Sequence, residues 1–271
     1  MRLSGKRILV TGSTMGIGFA AAKMMRREGA RVAVHGRDIG RVNTAIEQMG
    51  GGSDLIAIVG DVGNLTDCRR IIDETVSALG GLDCLVNNAG IGDLSYPEEV
   101  TEDHYRKVAN INLRSAFFLT QYSLAELRKS KGSAIFNASV CGLFAGPTDS
   151  YIYACVKSGM INLGRSLALE LAPDVRVNVL CPGYIDTPLI AAENKATDGQ
   201  IYAFIESAAA LLAPLFQAQR LAILDPALET FAMAGLATLL QAFAVALVDA
   251  FLQDLGVGDE QVVAHQLHLL A

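Results

Sequence analysis

The stretch DSYIYACVKSG, residues 149–159, sets two tyrosines two positions apart, with a lysine close behind them. If the stretch is helical, residues four apart share a face, so Lys157 is paired with Tyr153, whereas Tyr151, six positions before it, points elsewhere. A free phenol titrates at about pH 10, too high for a ready base near neutrality. An ammonium one turn away stabilises the phenolate, and a stabilised phenolate can pass a proton at working pH. The same short pattern also fits a helix-face tyrosine beside a solvated charge, and the pattern alone does not choose.

The elements that must position such a pair are visible upstream. KRILVTG is a short apolar run with a glycine stop, and it reads as a buried strand. GIGFAAAKMMRREG has helical spacing, ARVAVHGR reads as a second strand, RVNTAIEQMG as a helix and DLIAIVGDV as a third strand. LTDCRRIIDETVSALG, LDCLVNNAG and SAIFNAS continue the alternation as helix, strand and strand. Such alternation predicts an α/β fold of the Rossmann type, a doubly wound parallel sheet covered on both faces. TGSTMGIG then places Gly12, Gly16 and Gly18 between the first strand and the first helix. A phosphate-bearing ligand needs glycine there, because a Cβ blocks its approach to the backbone and the helix N-terminus offers N–H groups and a positive dipole end.

The spacing is TGxxxGxG rather than GxGxxG. With NNAG at 87–90, NIN at 110–112, Ser139, Tyr153-xxx-Lys157 and PGYIDT at 182–187, the chain resembles the short-chain dehydrogenase/reductase family over about residues 4–190. The resemblance implies an oxidoreductase that interconverts a carbonyl and a secondary alcohol by hydride transfer, with Tyr153 as general acid/base. It implies that Ser139 hydrogen-bonds the substrate oxygen, that Lys157 also holds the nicotinamide ribose, and that Asn112 anchors a water linking Lys157 to solvent. One departure stands: Ser139 lies fourteen residues before Tyr153, one more than is usual in the family. The extra residue is expected in the loop LFAGPTDS, where Gly146 and Pro147 make insertion cheap.

The cofactor residues implied are the loop Gly12, Ser13, Thr14, Met15, Gly16, Ile17 and Gly18, with Asp61 and Val62 at the adenine. Asn88, Ala89 and Gly90 line the cofactor, Pro182, Gly183 and Ile185 approach the nicotinamide, and Thr187 approaches its carboxamide. After the second strand, an acid would bind a ribose 2′-OH and repel a 2′-phosphate; here that position is Gly36, followed by Arg37, which can pair with the phosphate. NADP(H) is therefore the expected cofactor, with NAD(H) possible because Asp38 follows at once.

A net charge of −6 argues against nucleic acid as an electrostatic partner. Five scattered cysteines without a CxxC pair, and an N-terminus without a signal-like apolar run, point to reduced thiols in the cytoplasm, and no metal constellation is visible. The four histidines are dispersed, so histidine catalysis is not expected. The expected substrate is a small carbonyl or alcohol; Gly92, Asp93, Leu94, Val140, Cys141 and Tyr184 face the expected pocket without selecting a class.

The expected organisation is a catalytic Rossmann domain over 1–190 and an atypical, mostly helical C-terminal segment over 191–271. Residues 196–271 hold one basic residue against eight acidic ones, while residues 1–195 hold 21 and 20. The segment 231–252 is apolar nearly all round, and three readings stay open for it: a packing helix, a membrane helix, or a tail produced by a frame change. Family members commonly form homodimers or homotetramers through the long helices near 103–129 and 151–171. The rival functional reading is a dinucleotide-binding protein without turnover, disabled by its tail.

Overall fold

The computed structural model describes residues 1–92, 95–143 and 150–196. Asp93, Leu94, most of the loop expected to hold the extra residue, and the segment 231–252 lie outside the described residues.

Apolar runs too short for helices form the strands β1 (Arg7–Val10), β2 (Arg31–Gly36), β3 (Leu55–Val59), β4 (Cys84–Asn87), β5 (Ser133–Asn137) and β6 (Arg176–Leu180). They pair in the order β3-β2-β1-β4-β5-β6, every pair parallel. Successive side chains of a strand face opposite ways, and the core divides accordingly. Ile8 and Val10 pack with Val32, Val34 and Val86 on one face; Leu9 packs with Ala33, Leu85 and Phe136 on the other.

Helices α1 (Gly16–Arg27) and α2 (Ile39–Gln48) cover the first face, through Ala22, Val42 and Ala45. The second is covered by α3 (Leu65–Leu79), α5 (Ser115–Ser130) and α6 (Tyr151–Leu171), through Ile71, Leu119 and Met160. Helix α4 (Glu102–Ala109) leads into α5 through a five-residue π turn, Asn110–Arg114. Helix α7 (Pro188–Ala196) runs through the boundary expected at residue 190, its Ala191 N–H donating to the Thr187 carbonyl at 2.9 Å. Among the described residues no helix is long and apolar enough to cross a membrane.

Strand order reverses between β1 and β4, which opens a crevice at their C-terminal ends where ligands of such sheets bind. At the opposite end the same two strands are clamped together. Asp83 accepts from the Arg7 backbone N–H at 2.9 Å and from its Nε at 2.8 Å, while Arg7 Nη1 donates to the Gly80 carbonyl at 2.5 Å. Burial alone would raise the Asp83 carboxyl, but hydrogen bonds and charge from Arg7 hold it below the usual carboxylate range. Its stabilisation is therefore present above the unfolded carboxyl pKa and is lost as pH falls through the lower folded value. Asp83→Ala is expected to lose about 1.5–3 kcal/mol at pH 7, as for a hydrogen-bonded charged group, and less at pH 3. Urea unfolding at the two pH values measures this, and an equal loss at both would contradict it.

Candidate active site

The crevice is built on a close approach of backbones. Gly12 sits at φ +63°, and a Cβ there would stand 2.9 Å from Ala89 Cα. A Cβ on Gly18 would collide with the Gly12 carbonyl and the Asn88 side chain. Thr11 fixes this contact: its Oγ1 donates to Val86 O at 3.1 Å and accepts from the N–H groups of Asn88 and Ala89 at 2.9 and 3.0 Å. Asn88 Nδ2 in turn donates to the carbonyls of Thr11 and Gly12 at 2.8 and 3.1 Å.

Helix α1 begins directly behind this loop, with Met15 in the cap position but no side-chain cap and no acid in the first turn. Its positive end is thus left for an anion, and the glycines admit one, so the residues present fit a pyrophosphate. Ser13 is buried, its hydroxyl turned inward to the Val10 carbonyl at 2.7 Å.

The expected adenosine end lies at the tips of β2 and β3. A side chain at Gly36 would meet Thr14 Cγ2 at 2.6 Å and Val42 Cγ2 at 3.1 Å, so no acid fits there without a shift. Arg37 is exposed, and Asp38 caps α2, accepting from the Arg41 N–H at 2.8 Å. A cleft of ≈ 390 Å³ opens between the glycine loop and α2, walled by Thr14, Met15, Asp38 and Arg41. Asp61 ties its own turn together by accepting from the Gly63 N–H at 2.9 Å, and Val62 is buried in the core.

Helix α6 starts at Tyr151, which is exposed, and carries Tyr153 and Lys157 one turn apart further in. Lys157 Nζ lies 5.4 Å from the Tyr153 ring centroid and donates to the Asn137 carbonyl at 2.7 Å. Ser139, two residues past β5, caps the short turn Val140–Gly142, its Oγ accepting from the Cys141 N–H at 3.2 Å. That turn lies on α6. A Cβ at Gly142 would be 2.7 Å from the Lys157 carbonyl carbon, and Ser158 Oγ donates to the Gly142 carbonyl at 2.8 Å. The serine and the tyrosine–lysine turn are thereby brought to one place.

Asn112 is fully buried within the π turn. It accepts from the Ile91 N–H and donates to the carbonyls of Ile91 and Val108, each at 3.1 Å. Gly90 separates this amide from the lysine: a Cβ there would stand 2.5 Å from Asn112 Oδ1 and 3.8 Å from Lys157 Nζ. After β6 the Pro182 carbonyl accepts from the Val140 N–H at 3.0 Å, beside the turn that Ser139 caps, and Thr187 comes within 3.6 Å of a Cβ built on Gly16.

The family model described as short chain dehydrogenase matches residues 6–198. The chain belongs to the short-chain dehydrogenase/reductase family. It is an oxidoreductase that acts on CH–OH groups with a nicotinamide dinucleotide. The 11-beta-hydroxysteroid dehydrogenase-like 2 of Arabidopsis thaliana is 31% identical over 219 residues, covering 79% of this chain and 70% of that relative. The NADP-dependent (R)-specific alcohol dehydrogenase of Lentilactobacillus kefiri is 35% identical over 193 residues, 70% of this chain and 77% of its own. A short chain dehydrogenase from Burkholderia cenocepacia J2315, solved in complex with NADP, matches with TM-score 0.66 at 32% identity, over 70% of this chain and 78% of that one.

Several residues that build the crevice of this dehydrogenase carry no motif. Gly142, Asn137 and His35 hold the turn on α6, the lysine and the glycine loop respectively. His35 leaves one trace in the sequence, as a polar residue directly after the apolar run VAV of β2.

Burial pushes the Lys157 amine down to about 8. Between that value and the unfolded value of about 10.4 the unfolded chain binds the extra proton, so stability rises with pH across this window. The dinucleotide-free protein is expected to lose part of its disadvantage relative to Lys157→Met as pH rises from 7.5 to 10. Urea unfolding of both proteins across that range measures it; a constant difference would contradict the buried-amine assignment.

Proposed function

We propose that this chain is an NADP(H)-dependent oxidoreductase that interconverts a carbonyl and a secondary alcohol, with Tyr153 as its general acid/base. The observation that carries the proposal is the placement of Tyr153 and buried Lys157 one turn apart on α6, against the turn that Ser139 begins. When bound, the dinucleotide supplies the hydride or accepts it. Ser139 donates its hydroxyl hydrogen to the substrate oxygen and orients it. Tyr153 Oη gives its proton to the developing alkoxide in reduction and takes the hydroxyl proton in oxidation. Lys157, as an ammonium at neutral pH, supplies the positive charge beside the phenol ring and reaches for the ribose. Asn112 holds the Ile91 backbone next to the lysine, where a relay to solvent would begin.

Preference for NADP(H) rests on three observations. Gly36 has no room for an acid, Asp38 is engaged as a helix cap, and Arg37 is exposed at the rim. The relatives point the same way, since one is described as NADP-dependent and one was solved with NADP. The ring segment Pro182–Thr187, the loop 12–18 and the residues Asp61, Asn88, Ala89 and Gly90 complete the cofactor contacts in this reading. The cytoplasm is the proposed location, supported by five free cysteines, and the long helices α4–α5 and α6 are the proposed subunit contacts.

Tyr153→Phe is expected to lower turnover with a responsive ketone by at least about a thousandfold, while NADPH binds within about threefold of wild type. Turnover near the wild-type rate would sink the assignment. Arg37→Ala is expected to weaken NADPH binding by about tenfold or more and to leave NADH within about threefold, as read by direct titration. An equal effect on both dinucleotides would contradict the phosphate role.

A further inference from the structure

Strand β2 carries one ionisable side chain into the interior: His35 is 2% exposed. Its Nδ1 accepts from the Gly12 N–H at 3.1 Å, and its Nε2 lies 3.2 Å from the Gly60 carbonyl. Because Nδ1 accepts, a neutral ring must carry its proton on Nε2, which then donates to Gly60. Burial pushes the imidazole down to about 4, so it is neutral at ordinary pH and Nδ1 stays an acceptor. The backbone doubles the link: His35 O accepts from the Ser13 N–H at 2.9 Å, and the His35 N–H donates to Ser13 Oγ at 2.9 Å.

Gly12 opens the phosphate loop after β1, and Gly60 opens the adenine-side loop after β3, with Asp61 and Val62 next to it. Strand β2 stands between these two strands in the sheet. One imidazole therefore spans from one loop to the other. Filling the core at this position would need only volume, as Ala33 supplies with an apolar group on the same face of β2.

We propose that His35 is a positioning residue of the dinucleotide site, a two-ended strut that holds the phosphate loop through Gly12 and the adenine loop through Gly60. It need not touch the ligand. The two ends are unequal. Both loops keep a backbone tie to β2, Gly60 N–H to the Gly36 carbonyl at 3.1 Å and Ser13 N–H to the His35 carbonyl at 2.9 Å, so the difference lies in the group each end leaves unpaired. The Gly12 N–H belongs to a glycine held at φ +63°, and without its acceptor it is left unpaired beside the interior. The acceptor end is thus the one that sets the phosphate loop.

The two conservative amides separate these ends. Asparagine places an oxygen near the position of Nδ1, whereas glutamine places its amide near Nε2 and leaves Gly12 without an acceptor. Full-length wild type, His35→Asn, His35→Gln and His35→Leu are titrated with NADPH, and their urea midpoints are measured alongside. The expected result is affinity within about threefold of wild type for His35→Asn and at least tenfold weaker for His35→Gln and His35→Leu, with similar midpoints for the two amides. Equal losses for the two amides, or affinity that merely follows the midpoints, would overturn the proposal. A second reading needs no variant: the long-range ¹H–¹⁵N spectrum of wild type is expected to show His35 as the Nε2–H tautomer, and an Nδ1–H ring would overturn the strut. The inference rests on the loop 12–18 being the dinucleotide site. Wild type that binds neither NADPH nor NADH would overturn that reading itself, a result distinct from unequal or equal losses among the variants.

Discussion

The contact between Gly12 and Ala89 is the constraint from which both ends of the site follow. Two backbones meet there at a distance that admits no side chain on Gly12, and hydrogen bonds keep them together. The Asn88 amide that donates to the glycine-loop carbonyls also accepts, through Oδ1, from Asn137 Nδ2 at 2.9 Å. The Asn137 carbonyl then receives Lys157 Nζ. A continuous line of hydrogen bonds thus joins the loop that fits a pyrophosphate to the lysine beside the tyrosine. In the proposed reading, phosphate binding and proton transfer depend on one framework rather than on two.

Lysine burial gives this framework its electrostatic sense. An ammonium removed from water is expensive unless it finds oxygen acceptors, and Lys157 has been drawn down toward neutrality by that removal. A ligand that brings ribose oxygens to Nζ would relieve the expense. In the proposed mechanism the same ammonium charge, 5.4 Å from the Tyr153 ring centroid, favours a phenolate. In the proposed function, binding of the dinucleotide and readiness of the acid/base would be coupled through a single nitrogen. Gly142 contributes by letting the Ser139 turn lie on the helix that carries that nitrogen.

Much of this was legible in the sequence because it is local. The strand–glycine–helix passage at 7–18, the alternation through residue 137 and the four-residue spacing of Tyr153 and Lys157 depend on neighbours in the chain, and the first five parallel strands and the helix at 151–171 follow them. Asn112 belongs to a motif visible in the sequence, but the π turn and the Ile91 backbone that pair with its amide are revealed by no spacing. In the sequence, Gly36 stands where an acid would bind a ribose 2′-OH. The structure adds that Thr14 and Val42 already occupy the space a side chain would need. Gly142, Asn137 and His35 stayed hidden because each acts across a separation of many residues, on a partner that only the folded sheet brings near. A dispersed histidine gave no pattern, yet it bridges the loops that follow β1 and β3.

The central claim is that this crevice is a working dinucleotide site tuned for a 2′-phosphate. The chain contains no tryptophan, so emission of the reduced nicotinamide can be followed without that background. Titration of the full-length protein with NADPH and, separately, NADH tests the claim most directly. The account predicts saturable binding of both, with NADPH tighter by about tenfold or more, as a charge-assisted phosphate contact implies. Tighter binding of NADH, or binding of neither, would contradict it.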